Sequence, residues 1–179
     1  MTTLSHIAVG ILVTHYFVGK QWLPDHTVSP YIFGVVFANI PDIDGIVALT
    51  RKSHTLSRRH IWRLYAHHNE LGNLSHYPST WVGVFLFVAA LSLVLGVNNI
   101  AMYILFGSIN VLCHFLMDTC SMYEGIAWLG PWKKKKYSFI GMLPILPANT
   151  REWVQWYVRH WVMYLEIAIW ILTLFVLFD

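Results

Sequence analysis

Five long apolar segments dominate the chain and constrain its fold more than any other feature. They cover residues 4–18, 31–49, 81–97, 100–118 and 156–178. A helix needs about 20 mostly apolar residues to cross a bilayer, so each segment qualifies or nearly qualifies as a membrane span. Charged residues make up only 12% of the chain, whereas a soluble domain has about 25%. With 56% hydrophobic residues, the chain is neither an ordinary soluble domain nor disordered.

The sequence therefore predicts an all-α, multi-span membrane protein, in which residues 1–179 form a single membrane-embedded domain of about five transmembrane helices. The first segment is short, so four spans with a re-entrant first segment are the alternative. Pro41 interrupts the second segment. We expect residues 1–20 to be retained as a span, because residues 1–5 carry no basic charge and no small-residue cleavage site follows.

Basic residues concentrate in two links between the segments. The links 51–79 and 121–155 contain ten of the twelve Lys and Arg residues. Because basic links stay cytoplasmic, both links and the amino terminus are predicted to face the cytoplasm. In the first link, residues 56–68 have the pattern of a basic amphipathic helix lying in the headgroup layer. Its basic residues are Arg58, Arg59 and Arg63. These arginines either bind lipid headgroups or only supply topological charge.

Ionisable residues lie where this topology places the cytoplasmic ends of the spans. Such residues are costly in a membrane, so they are candidates for function. In chain order they are His6, Asp42, Asp44, His67, His68, His76, His114 and Asp118. The topology rests on Lys and Arg alone, so the placement of all these residues at one membrane face favours a common site. Glu166 is an isolated carboxylate, expected to pack against another polar group or to support the site.

Two of these groups have local geometry that suits a metal ion. His114 and Asp118 are four residues apart and share one helix face, which gives half a site for a divalent metal. Asp42 and Asp44 follow Pro41, which ends the span and lets both carboxylates point into one pocket. A cation would relieve the repulsion between them. The alternatives are a helix cap for the aspartates and a polar pair joining helices for His114 and Asp118.

The motifs resemble those of the YdjM-type inner-membrane metal-dependent hydrolases, a prokaryotic family of small multi-span proteins. The family pattern is Thr/Ser-His with a small residue soon after, then Pro-Asp-x-Asp, then His-Arg leading to Thr/Ser-His, then His-x-x-x-Asp followed by Gly and Pro. The matching residues here are Ser5, His6, Gly10, Pro41, Asp42, Asp44, His68, Ser75, His76, His114, Asp118, Gly125 and Pro131. The chain departs from the pattern where Asn69 follows His68, so His67 and His68 are alternative ligands.

The resemblance implies a membrane-bound hydrolase that acts on a lipid or lipid-linked phosphoester through a metal-activated water. The family motif is also similar to that of soluble zinc-dependent phospholipases C. The expected metal ligands are His6, Asp42, Asp44, His68, His76, His114 and Asp118. They would hold one or two ions, with zinc favoured and manganese or iron as alternatives. Asp44 and Asp42 are the expected catalytic carboxylates, with Asp44 as general base.

Two other functions are compatible with the same residues. One is metal-dependent cleavage of a lipid amide or another ester. The other is a non-enzymatic membrane scaffold or transport component with a structural metal site. The expected location is the prokaryotic inner membrane, with a membrane lipid as partner and no nucleic acid.

Overall fold

The computed structural model describes residues 3–23, 29–43, 74–97, 100–120, 125–139 and 150–178. Within these ranges the chain forms helices and, apart from an isolated bridge between Ile126 and Tyr137, no strand. The helices are α1 (Thr3–Gly19), α2 (Ser29–Asn39), α3 (Pro78–Val94), α4 (Ile100–Thr119), α5 (Thr150–Arg159) and α6 (Trp161–Phe178). Short 3-10 turns at Ile40–Asp42 and Leu74–His76 follow α2 and precede α3. The predicted all-α fold is confirmed for these ranges.

The number of membrane spans differs from the prediction. Among the described helices only α4 and α6 are long and apolar enough to cross a membrane, so the prediction of about five such helices is wrong for this part of the chain. α1 and α3 are apolar but have 17 residues each, and α2 has 11. α2 and α6 are shorter than the predicted segments 31–49 and 156–178, because residues within those segments end or divide the helix. The other three helices are at least as long as the segments predicted for them.

Proline and glycine account for several helix ends. α2 ends at Asn39 because Pro41 disfavours helical backbone at the residue before it, and a 3-10 turn follows. α3 begins at Pro78, whose fixed φ suits the first helical position and which has no amide hydrogen to leave unpaired. Gly96 follows α3 with φ +67°, a left-handed conformation that glycine adopts readily.

The last apolar segment is divided at His160 into two helices with different surfaces. The Nδ1 of His160 accepts a hydrogen bond from the amide of Val162 at 3.3 Å, so this side chain caps the first turn of α6. The span predicted over 156–178 therefore begins only at Trp161. The preceding α5 is amphipathic. The amphipathic helix predicted at 56–68 lies outside the described residues.

Helix α4 is the centre of the packing and contacts α1, α2 and α3. One apolar cluster is built around Phe17 and Phe106. A second cluster, around Val111, Phe115 and Ile126, lies towards the carboxyl-terminal end of α4. Because α4 also carries His114 and Asp118, this second cluster supports the backbone beside the ionisable residues.

Two glycines allow α1 and α2 to approach each other closely. A Cβ at Gly10 would lie 2.7 Å from the carbonyl oxygen of Gly34, and a Cβ at Gly34 would lie 2.8 Å from that of Gly10. Thr14 is fully buried at the same contact and donates its hydroxyl to the Gly10 carbonyl at 2.7 Å. Side chains larger than hydrogen would push the two helices apart.

Helices α3 and α6 expose apolar surface. α3 has no buried residue, and α6 buries Val162, Glu166 and Thr173. The hydroxyl of Thr173 donates to the carbonyl of Ile169 at 2.8 Å, within its own helix, and lies 3.4 Å from the carbonyl oxygen of Ala8 on α1. Apolar faces of this extent contact lipid chains in a bilayer.

Candidate metal centre

Five ionisable side chains from four separate elements meet at one end of the helices. His6 comes from the first turns of α1, Asp42 from the turn after α2, and His76 from the turn before α3. His114 and Asp118 come from the last turns of α4. Asp42, His76, His114 and Asp118 each offer a ligand atom within 4.8 Å of the others, so these four form a group that could hold a metal ion.

Asp118 contacts all three histidines of the cluster. Its Oδ1 lies 3.2 Å from the Nε2 of His6. Its Oδ2 lies 3.1 Å from the Nε2 of His114 and 4.0 Å from the Nε2 of His76. The spacing of four residues places His114 and Asp118 on one face of α4, as the sequence predicted. Asp118 thereby connects the imidazoles of α1, α4 and the turn before α3.

Asp42 closes the cluster from the side of α2. Its Oδ1 lies 3.3 Å from the Nε2 of His76 and 3.6 Å from that of His114. The end of α2 before Pro41 and the 3-10 turn after it carry Asp42 to this position. The Asp42 side chain is 21% exposed, whereas that of Asp118 is 10% exposed. Asp42 is therefore the more accessible of the two carboxylates.

The tautomer of His114 follows from its hydrogen bond to the backbone. Its Nδ1 lies 2.8 Å from the carbonyl oxygen of Ala38, and because a carbonyl only accepts, Nδ1 carries the proton. In the neutral imidazole Nε2 then bears a lone pair, directed at the carboxylate oxygens of Asp42 and Asp118. A lone pair facing two carboxylates is repulsive, and either a cation among them or a proton on Nε2 relieves the repulsion. The donor set therefore fits a divalent metal, with the Ala38 carbonyl orienting the His114 ring.

His6 joins the site through a stack and through Asp118. Its ring stacks on that of His114, with centroids 4.0 Å apart and an interplanar angle of 26°. The residue is 1% exposed, and its Nδ1 has no hydrogen-bond partner among the described residues. Burying an imidazole costs free energy unless its polar atoms have partners. His6 contacts another imidazole and a carboxylate, so its burial is explained by its place in the polar cluster.

Several predicted site residues lie outside the described part of the chain. They are Asp44, His67, His68, Arg58, Arg59 and Arg63. Their predicted roles as ligands, general base and lipid headgroup contacts stay predictions. Among the described histidines, His15 lies on α1 within 3.5 Å of the Tyr31 hydroxyl and His160 caps α6, so neither belongs to the cluster.

One contributor to the site and one neighbour of it were not identified from the sequence. Ala38 acts through its backbone carbonyl, which every residue carries, so no sequence signal marks it. Thr119 directly follows Asp118, donates to the Phe115 carbonyl at 2.7 Å and accepts a hydrogen bond from the Nε1 of Trp128 at 3.1 Å. For Thr119, the sequence offered one signal, which is that its hydroxyl directly follows the predicted ligand Asp118.

Glu166 is only 4% exposed and accepts a hydrogen bond from the Tyr157 hydroxyl at 2.6 Å. The Tyr157 hydroxyl is thus the kind of polar partner that we expected for an isolated carboxylate in an apolar segment. It joins α5 to α6, which carry Tyr157 and Glu166 respectively.

Comparison with known proteins identifies the family to which the chain belongs. No curated protein and no solved structure matched the chain. The family model described as YdjM inner membrane protein matches residues 1–178, a range that includes all five clustered side chains. This description and the two long apolar helices support an inner-membrane location. The chain belongs to the YdjM inner membrane protein family.

Proposed function

We propose that this protein is a metal-dependent hydrolase of the inner membrane that cleaves a phosphoester of a lipid or lipid-linked compound. The observation that carries the proposal is the orientation of His114. Its Nδ1 is bound to Ala38, and its Nε2 lies 3.1 Å from Asp118 and 3.6 Å from Asp42. A histidine held in this tautomer beside two carboxylates is a typical metal ligand with a backbone partner.

The residues that would hold the ion are Asp42, His76, His114 and Asp118, with His6 bound to Asp118. Mixed imidazole and carboxylate ligands favour zinc, and manganese and iron use the same donors. When bound, the cation supplies a Lewis acid and lowers the pKa of a coordinated water.

The exposure of each side chain suggests its role in shielding the site, admitting the substrate or accepting a proton. The three histidines are each less than a twentieth exposed, so they lie in a site shielded from bulk water. Asp42 is the most exposed member and lies where a substrate would enter. An oxygen of Asp42 that is not bound to the ion would accept a proton from an attacking water. Asp44, two residues further along the chain, is the other candidate base.

The positions of the ligands along the helices favour a bond at headgroup depth. His6 is close to the start of α1 and Asp118 is one residue from the end of α4. His76 is two residues before α3. If these helices are immersed in the bilayer, their ends lie at the headgroups, while the acyl chains surround their middles. A phosphoester beside a lipid headgroup is then within reach.

The test is turnover by the full chain reconstituted in liposomes that contain anionic phospholipids, polyprenyl phosphates and amide-linked lipids, with products identified by mass spectrometry. We expect phosphoester cleavage that stops with chelator and returns with zinc or manganese. Asp118→Asn should abolish it. The control Glu152→Gln, which neutralises an exposed carboxylate on α5, should retain it.

Other outcomes would contradict the proposal in different ways. Chelator-sensitive cleavage of the amide-linked lipids alone would indicate a different hydrolase. A metal-loaded protein that cleaves none of these lipids would indicate a structural site in a scaffold or transport component.

A further inference from the structure

A lysine-bearing segment is attached to the site at the residue after Asp118. We call residues 125–139 the lysine loop. Its end is held by Phe139, whose amide donates to the Thr119 carbonyl at 2.9 Å. Its beginning is held by Trp128, whose Nε1 donates to the Thr119 hydroxyl at 3.1 Å. Both attachments are therefore made to one residue at the end of α4.

The two arms of the loop are also joined to each other. Ile126 and Tyr137 exchange backbone hydrogen bonds of 2.9 Å in each direction. Gly125 has φ +63°, and a Cβ on it would collide with the Tyr137 carbonyl, so this close pairing requires glycine. The pairing turns the intervening residues outward as a hairpin-like projection.

A second anchor lies beside His76. The hydroxyl of Ser79 donates to the carbonyl of Gly130, and the ring of Tyr77 occupies the space that a side chain at Gly130 would need. Tyr77 directly follows the cluster residue His76. The lysine loop is thus braced between the elements that carry His76 and Asp118, so its position relative to the metal centre is set by short contacts.

The outer surface of the loop combines positive charge with aromatic side chains. Its only charged residues are Lys133, Lys134, Lys135 and Lys136. Trp132 is 81% exposed and Phe139 is 74% exposed, on either side of the lysines in sequence. Lysines that attract anionic headgroups and aromatic rings that enter the interfacial layer are the usual elements of a membrane-facing segment.

An open groove lies between the loop and the end of α4. It has a volume of about 450 Å³ and its walls are mostly apolar. The lining residues are Thr119, Trp128, Leu129, Tyr137, Ser138 and Phe139. The volume falls in the range of about 300–1,000 Å³ that is common for ligand sites. Because Thr119 is part of the wall, the groove begins one residue from Asp118.

We propose that the lysine loop is the docking element for an anionic membrane lipid, with the headgroup on the lysines and the adjoining part of the lipid in the groove. The inference rests on the proposed function and names its substrate class, an anionic phospholipid. The charge of the loop selects an anion. The exposed Trp132 and Phe139 select a bilayer component over a soluble anion or a nucleic acid, because exposed aromatic rings beside the charge gain most from the interfacial layer.

The test measures lipid binding by native mass spectrometry of the full chain in a neutral detergent, with phosphatidylglycerol or phosphatidylcholine added. In the triple variant K133Q/K134Q/K135Q, the affinity for phosphatidylglycerol should fall by about tenfold or more, while the affinity for phosphatidylcholine stays unchanged. The matched control is K20Q/R151Q/R159Q, which removes the same charge from exposed positions on α1 and α5 or at their ends. This control should retain wild-type affinity.

A second variant separates position from charge. Trp128→Phe removes the hydrogen bond to Thr119 but no charge, and it should also weaken phosphatidylglycerol binding. Metal content should stay at the wild-type level in every variant, so a failure of docking is distinguishable from a failure of the metal centre. Unchanged binding in the lysine variant, or an equal loss in the control, would overturn the proposal. Competition by glycerol phosphate at the same concentration as the lipid would assign the site to a soluble phosphate instead.

Discussion

His114 donates a hydrogen bond of 2.8 Å from its Nδ1 to the carbonyl oxygen of Ala38. The contact joins the carboxyl-terminal turns of α4 and α2, residues far apart in the sequence. It is possible because α2 ends at Asn39, so the carbonyl of Ala38 belongs to the last turn of the helix, where carbonyls are open to partners outside the helix. One hydrogen bond therefore satisfies a helix-end carbonyl and determines which nitrogen of His114 is available to a metal.

The first prediction concerns metal binding. His114→Ala and Asp118→Ala should each lower the metal content of the detergent-purified protein, with affinity falling by about 100-fold or more, because each removes a ligand from a four-residue group. His15→Ala, a histidine change on α1 outside the cluster, is the control and should keep its metal. Elemental analysis measures the result. Full metal content in both cluster variants would refute the assigned site.

The second prediction concerns the contact between α1 and α2. Gly34→Leu should destabilise the protein by roughly 1–3 kcal/mol or more, because its side chain would overlap the Thr14 hydroxyl and the Gly10 backbone. It should also weaken metal binding, since α1 carries His6. Gly83→Leu is the matched control, because a Cβ at Gly83 meets nothing within 4 Å. Thermal unfolding in detergent compares the two, and equal midpoints would show that the close approach is dispensable.

The third prediction concerns Tyr157 and Glu166. Tyr157→Phe should cost about 1–3 kcal/mol, because it leaves the buried Glu166 without this donor. Tyr164→Phe, at a tyrosine that is 62% exposed on α6, should have little effect. Chemical or thermal unfolding of both variants measures the difference. If the two variants lost the same stability, the hydrogen bond would have no special role.

The same pair predicts a dependence on alkaline pH. Burial, and then the hydrogen bond to Glu166, raise the pKa of the Tyr157 phenol above its ordinary value. The folded protein therefore keeps a proton that the unfolded chain releases above about pH 10, and stability should fall as the pH rises from there. In Tyr157→Phe this part of the decline should disappear.

The fourth prediction concerns topology. Single cysteines placed in the links 51–79 and 121–155, in a background where Cys113 and Cys120 are replaced by serine, should react with a membrane-impermeant thiol reagent from the cytoplasmic side. The reason is that these links hold ten of the twelve basic residues. Reaction of the two links from opposite sides would mean that an odd number of spans separates them.

The membrane character and the all-α fold followed from local properties of the sequence. Apolar segments and scarce charge require backbone hydrogen bonds to be made within a helix, whatever the tertiary structure. The shared face of His114 and Asp118 also followed from helix periodicity alone. The turn at Asp42 was predictable, because Pro41 restricts its neighbour in any context.

The contacts of the site were decided by tertiary structure. Periodicity gives the face of α1 on which His6 lies, but the distance from His6 to Asp118 depends on how closely α1 and α4 pack. His76 lies in a turn, where periodicity gives no face, and its distance to Asp118 also depends on the packing. The partner of His114 is a backbone carbonyl, and a carbonyl has no signature in the sequence. The sequence thus determined which groups were available for a site, and the packing determined which of them lie within bonding distance.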